Sequence, residues 1–494
     1  MNVFFLTLTI GINKAMQKKF ITNLLFLLVL NFLIKPFYIL GIDAEIINRV
    51  GAESYGLYFS LFNFSFLFNI FIDIGINNFN TKNIAQNEHL LSKYFSKLFS
   101  LKLLLIVVYL FFTLFAGLVW GYSNYALKLL LILCFNQGLV AVILYLRSNL
   151  SGVQMFVKDS VVSVLDRFLM IAICSVLLWG NVTNRPFEIE WFVYAQTLSY
   201  SITLLVALWW VWKKTEFVKI KFNRLFSLAI IKQSLPYALL ILLMTFYYRS
   251  DTIMLEKMLE DGNKQVGYYA QAYRFFEAGN MVAYLFSVLL LPIFSKMIKA
   301  NQSLVGIVEI SFKMIFSGAL IISVLCFQFG DEIMHWRYTD LSSQSVHLFS
   351  VLMFCFVCIS TTYIFGTLLT ANGDLKFLNV LAGFAVLVNI GLNLVLIPKW
   401  QALGSAIASL ITQFFVSVVQ VLFASKTFQF KQSLNGLVQI VGFVMGVFLI
   451  AYITHLYLVS WTLAMLVFLT LSFLFAFSIH MIPIRKMIQI IKNE

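Results

Sequence analysis

Apolar residues run along this chain in long blocks, at about 20–40, 54–77, 98–120, 127–147, 160–180, 191–212, 234–255, 265–294, 307–328, 344–370, 377–397, 402–424, 434–456 and 460–483. Each block is close to the roughly 20 residues that carry a helix across a bilayer, and short polar links separate the blocks. The pattern predicts an all-α polytopic membrane protein with about 14 transmembrane helices. Lys14, Lys18 and Lys19 precede the first block much as charges open a secretory signal. No small-residue cleavage site follows and the hydrophobicity continues, so this span is expected to be retained.

Composition narrows the class further. Of 494 residues, 61% are hydrophobic and only 11% are charged, with a mean hydropathy of +0.91. Soluble domains carry about 25% charged residues, so a water-soluble enzyme of this size is excluded. Six prolines and 24 glycines leave little loop in which a large extramembrane domain could sit. The net charge of +14 points to loops beside anionic lipid rather than to nucleic acid. With the N-terminus inside, twenty-one Lys and Arg fall in cytoplasmic links and tails and six in outer links. That bias predicts both termini in the cytoplasm and an even span count. All five cysteines lie in apolar stretches. Cys355 and Cys358 form a CxxC, but no second pair and no histidine at ligand spacing accompanies them, so they read as small buried hydrophobes.

An internal repeat is visible. Gly51, Gly56, Tyr58 and Phe64 recur as Gly262, Gly267, Tyr269 and Phe275, each 211 residues later, and SGVQMF at Gly152 echoes NGDLKF at Gly373. The offset equals six spans. An even number per half makes the repeats parallel, with a site expected at mid-depth. The expected organisation is a six-helix lobe at 1–215, a second at 216–430, and two accessory transmembrane helices at 431–494.

No link offers a catalytic constellation. The five histidines are scattered, no Walker loop is present, and the longest outer link, about 329–343, is short. The chain is therefore read as a non-enzyme that needs no cofactor or metal. What remains is charge inside the membrane: Lys35, Lys102, Lys128, Arg147, Arg167, Arg249, Arg274 and Lys313. Lys102 and Lys128 sit near span ends and are expected to snorkel; Arg147 and Lys313 are close enough to the cytoplasmic edge to do the same. Lys35, Arg249 and Arg274 lie deeper, where lipid exposure costs about 2.5–3.5 kcal/mol, so they should face protein or water.

The acids at similar depth are Asp73, Asp166, Asp251 and Glu277, the candidates for ion coupling. Arg249 and Asp251 are two apart and project differently, whereas Arg274 and Glu277, three apart, can pair. Asp166 and Arg167 are adjacent and are expected to diverge. Tyr247, Tyr248, Tyr269 and Tyr273 stand beside the deep arginines, where rings can stack on sugars. Pro36, Pro236 and Pro292 interrupt three spans, as in helices that line a cavity. For each of these features, plain helix–helix packing stays open as the alternative.

The segments INRVGAESYGLYFS, DIGINN from Asp73 to Asn78, LYLRSNLSG around Arg147, SLPYALLILLMTFYYRSDTIML, VGYYAQAYRFFEAGN, ANGDLKFLNVLAGFAVLVNIGLNLVLIP and ALGSAIASLI together resemble the polysaccharide transporters of the MATE-like flippase superfamily. These are the O-antigen and lipid-linked oligosaccharide flippases of bacterial envelopes. The resemblance covers nearly the whole chain. It implies two six-helix lobes plus two accessory helices, a V-shaped cationic cavity, and alternating access in the bacterial inner membrane. The implied cargo is an undecaprenyl-diphosphate-linked oligosaccharide.

Arg147, Arg249 and Arg274 match the family's recurrent charged positions, and Asp251 matches its seventh-span acid. With Lys35, these arginines are the expected diphosphate contacts, since guanidinium groups hold phosphate oxygens through paired donors; Tyr248 and Tyr273 are the expected sugar contacts. Expected partners are the lipid-linked glycan, membrane lipid, H+ or Na+, and polysaccharide polymerases. A multidrug/cation antiporter of the same fold, kept alive by Asp73 and Asp166, is the second reading. A membrane-embedded polysaccharide polymerase or ligase is the third. Glycan identity and the coupling ion stay open.

Overall fold

The computed structural model describes residues 29–482 apart from 78–79, 81–83, 85–90, 154, 181–184, 214–222, 431–433 and 459. The first part of the 20–40 span, Lys14, Lys18 and Lys19, and Lys82, Lys214, Lys219, Lys221, Lys431, Arg485, Lys486 and Lys492 lie outside the described residues.

Every regular element among the described residues is helical. Helix α1 covers residues 29–37 and passes through a π-helical turn, Tyr38–Asp43, into α2, Ala44–Leu67. There follow α3 (Leu91–Val119), α4 (Asn124–Gly152), α5 (Phe156–Trp179), α6 (Ile189–Trp212), α7 (Arg224–Met258), α8 (Gly262–Lys299) and α9 (Val305–Gln328). The short α10 (Gly330–Arg337) precedes α11 (Ser345–Asn372), α12 (Leu375–Thr427), α13 (Leu434–Tyr457) and α14 (Trp461–Ser478). Eleven of the described helices are long and apolar enough to cross a membrane. One of these, the 53-residue α12, bends at Gln401 (φ 51°) three residues after Pro398, which separates the apolar blocks 377–397 and 402–424. Proline removes the amide donor that would continue the ladder, so the helix yields there.

The chain divides into two compact units, one holding residues up to Val50 together with Leu61–Leu242, the other Gly51–Ser60 and the residues from Leu243 onward. In the first unit α4 packs on α3 and α6, α6 also packs on α5, and the π-helical turn rests on α5. Their core is built from Phe95, Leu98, Leu101, Tyr145, Leu146 and Tyr200. Tyr145 ties α4 to α3 by donating from its hydroxyl to the Phe95 carbonyl at 2.9 Å. In the second unit α11 packs against α8, α9 and α12, while α13 and α14 pack on each other and on α9. Lys313 joins α9 to α13 by donating to Glu309 at 2.7 Å and to Gln439 Oε1 at 2.8 Å. Its expected snorkelling is thus replaced by an internal ion pair, because an acid one turn away and an amide opposite satisfy the ammonium group inside the protein.

Also within the second unit, α2 crosses α8 at the repeated glycines. Gly51 bends α2 with φ 81° and ψ 163°, a conformation open to glycine and strained for residues with a Cβ. Beyond that bend the two helices touch backbone to backbone. A Cβ at Gly56 would stand 1.7 Å from the Asn263 carbonyl oxygen, and one at Gly267 would stand 2.0 Å from that of Ala52. Ala52 and Asn263 carry the same 211-residue offset as the two glycines, so each repeat offers the other the same surface. The contact is isologous, and small residues make such close helix approach possible.

Candidate functional site

In the first unit, three cations gather on α1, α4 and α5. Arg147 donates from Nε to Asp159 Oδ1 at 2.7 Å and keeps a quarter of its side chain exposed. Lys35, partly exposed beside Pro36, lies within electrostatic range of Arg167, Asp166 and Arg147. Arg167 lays its guanidinium over the Tyr38 ring at 4.8 Å and reaches the Tyr200 hydroxyl at 3.4 Å. Its Nε stands 3.7 Å from Asp166 Oδ2. Asp166 and Arg167 therefore meet instead of diverging, because the long arginine side chain folds back past its own Cβ direction. The position of Tyr38 follows from the π-helical turn, whose wider spiral rotates the residues after Pro36 toward α5.

Asp73 and Lys102 form a separate pair. The ammonium group lies 3.2 Å from Asp73 Oδ1, with Lys102 wholly buried and Asp73 about a third exposed. Asn77 secures the carboxylate by donating from its side-chain amide at 2.7 Å. The expected snorkelling of Lys102 is overturned, because its ammonium group turns inward to the carboxylate at the broken end of α2. Lys128 remains exposed.

In the second unit, Arg274 is 6% exposed and fully engaged. It donates from Nε to the Tyr55 hydroxyl at 3.1 Å, pairs with Glu277, and stacks over Phe59 at 4.9 Å. Tyr273 lies among Arg249, Glu277, Arg274 and Asp251, and Tyr248 stands beside Tyr247 with ring centroids 4.5 Å apart. Arg249, Tyr248, Tyr273 and Glu277 are all partly exposed.

Asp251, two residues after the partly exposed Arg249, is buried. It is 1% exposed and accepts hydrogen bonds from Asn393 at 2.8 Å, Tyr269 at 3.0 Å, Asn389 at 3.2 Å and Ser409. Four neutral donors from α8 and the two arms of α12 surround one carboxylate. Turning the amides would present oxygens instead, and an oxygen-only shell suits a hard cation. Among the described residues no group of three or more His, Cys, Asp or Glu is arranged to hold a metal.

The structure thus brings Lys35, Arg147 and Asp166 together in one unit and Arg249, Arg274, Tyr248, Tyr273, Glu277 and Asp251 in the other, with Asp73 apart. Sequence reasoning missed Arg167 as a member of the cation group. It also missed Asp43, which is 2% exposed in the π-helical turn near Cys174 and Tyr200. Asn389, Asn393 and Ser409 were missed because neutral side chains leave no mark in a charge survey. The four-residue spacing of the two asparagines in an otherwise apolar block was the available signal.

The family model described as polysaccharide biosynthesis protein matches residues 20–298. Among solved structures, the inward closed conformation of the lipid II flippase MurJ is similar with a TM-score of 0.69 at 14% identity, over 92% of this chain and 97% of that one. An inward-facing multidrug resistance MATE family transporter of the MOP superfamily gives a TM-score of 0.63 at 16% identity, over 80% of this chain and 94% of that one. A MOP superfamily transporter from Pyrococcus furiosus gives 0.57 at 16% identity, over 82% and 95%. No protein of curated function matches the chain. These likenesses establish a shared fold and agree with the resemblance read from the sequence motifs.

Proposed function

The chain belongs to the polysaccharide biosynthesis protein family, and on that premise we propose that it is a flippase for a diphosphate-linked lipid oligosaccharide. The observation that carries this reading is the gathering of three partly exposed cations, Lys35, Arg147 and Arg167, on three helices of one unit, with Asp159 and Asp166 beside them. Cations held inside a membrane helix bundle are costly, and an anionic headgroup offsets that cost. We assign Lys35 and Arg147 of the first unit to the diphosphate, and Arg249, Tyr248 and Tyr273 of the second to substrate binding, the two tyrosines against sugar rings. Arg274, already committed to Glu277 and Tyr55, needs a change of state to reach a ligand. The undecaprenyl carrier, alternating access, both termini in the cytoplasm of a bacterial inner membrane, and association with polysaccharide polymerases belong to the same proposal.

Coupling is assigned to Asp251, whose neutral oxygen- and amide-bearing neighbours fit a proton or Na+. A multidrug/cation antiporter is the second reading, and the same carboxylate together with the likeness to a MATE family transporter supports it. The two separate in cells. Arg249→Ala should lower lipid-linked glycan at the outer leaflet at least tenfold while drug tolerance stays constant. The opposite outcome, lost drug tolerance with glycan export intact, selects the antiporter.

A further inference from the structure

The arm of α12 after Gln401 carries polar side chains on one face. Ser409, Gln413, Ser417 and Gln420 recur at intervals of four, four and three residues, which aligns them along a helix. Gln413 is 2% exposed, and Ser417 and Gln420 are each 6% exposed. The line begins at the Asp251 carboxylate, to which Ser409 donates. One turn on, Gln413 lies beside Tyr248, and a further turn on, Ser417 lies beside Cys358 and donates to the Phe414 carbonyl at 2.8 Å. At its end Gln420 faces Gly366 of α11. From Ser409 to Gln420 the line covers about 16 Å of helix axis, roughly half the hydrocarbon thickness of a bilayer.

Gln413 Oε1 and Gln420 Oε1 are both buried and accept no hydrogen bond from the protein. Burying an amide oxygen without a donor is unfavourable, and an apolar side chain of similar size would remove that cost. Two such oxygens on one helix face, in line with a carboxylate, describe a surface that water can wet. We infer that this face is a hydrated path along which a monovalent cation, H+ or Na+, reaches Asp251 from the Lys426 end of α12. The four named side chains carry no acid or base, so a proton would pass along it by way of water and Na+ by exchange of oxygen neighbours. The inference rests on Asp251 being the coupling site proposed above.

Two experiments on the full chain test it. The first replaces the five native cysteines by alanine and introduces Gln413→Cys or Ser417→Cys. Each thiol should react with an aqueous thiosulfonate at least tenfold faster than Leu422→Cys, which points away from the protein interior at 56% exposure. Rates equal to that control overturn the path. The second follows release of radioactive Na+, and in a parallel arm proton uptake after a pH jump, from protein in lipid nanodiscs; the arm that responds identifies the ion. Gln413→Leu with Gln420→Leu should slow exchange at least tenfold while the amount bound at equilibrium is unchanged. Asp251→Asn should abolish binding. If Asp251→Asn abolishes binding but the double variant exchanges at the wild-type rate, the path fails alone. If Asp251→Asn binds as wild type does, the coupling reading fails and the path with it.

Discussion

The two units solve the problem of intramembrane charge in different ways. The first sets several of its cations against acids: Lys102 with Asp73, Arg147 with Asp159, Arg167 with Asp166. The second also pairs Arg274 with Glu277 and Lys313 with Glu309, but it surrounds its buried carboxylate, Asp251, with neutral donors. Repeat equivalence does not impose a common partner. Lys102 and Lys313 stand 211 residues apart, yet one bonds an acid at the end of α2 and the other an acid on its own helix and an amide of α13. A charge pair is stable because neither member can leave cheaply. A carboxylate held by neutral groups can change its protonation or take a cation without stranding an opposite charge.

The contrast yields a ranked series of outcomes. The largest effect is expected from Lys102→Met, which leaves Asp73 without its cation and should destabilise the protein by about 3–5 kcal/mol, read as a fall in unfolding temperature. Adding Asp73→Leu should restore most of that loss, whereas a strictly structural role for the lysine stem alone would leave the double variant no better. Asp251→Asn should cost less, about 1–3 kcal/mol, the range for weakening hydrogen bonds to a charged group. A thermal shift as large as that of Lys102→Met would erase the distinction between the units. Arg167→Lys keeps the charge and loses the planar stack on Tyr38, a change of about 0.5–1 kcal/mol. It should appear as a small fall in unfolding temperature, well below that of Asp251→Asn.

Much of this was legible in the sequence for physical reasons. Apolar block length reports bilayer thickness, so the succession of spans could be read directly, and the break between residues 397 and 402 follows from Pro398. The glycine repeat could be read because close helix approach tolerates no other side chain. The charge partners were harder. Lys102 lies near a span end, and distance to the edge does not reveal which way its stem turns; that depended on where α2 breaks after Leu67. Asp43 lies beyond the apolar block at 20–40, and the π-helical turn carries the first helix past the end of that block. The cradle of Asp251 joins residues up to 158 positions apart, a juxtaposition that periodicity within one block cannot supply.

The glycine crossing also bears on how such a chain can arise. Each half carries both the notch and the carbonyl that fills its counterpart, with Gly56 set against Asn263 and Gly267 against Ala52. A shorter forerunner encoding a single half would already possess everything required to clasp a second copy of itself. Gene doubling would then have fused a partnership that existed beforehand, leaving the two descendants free to specialise around a seam neither could alter alone.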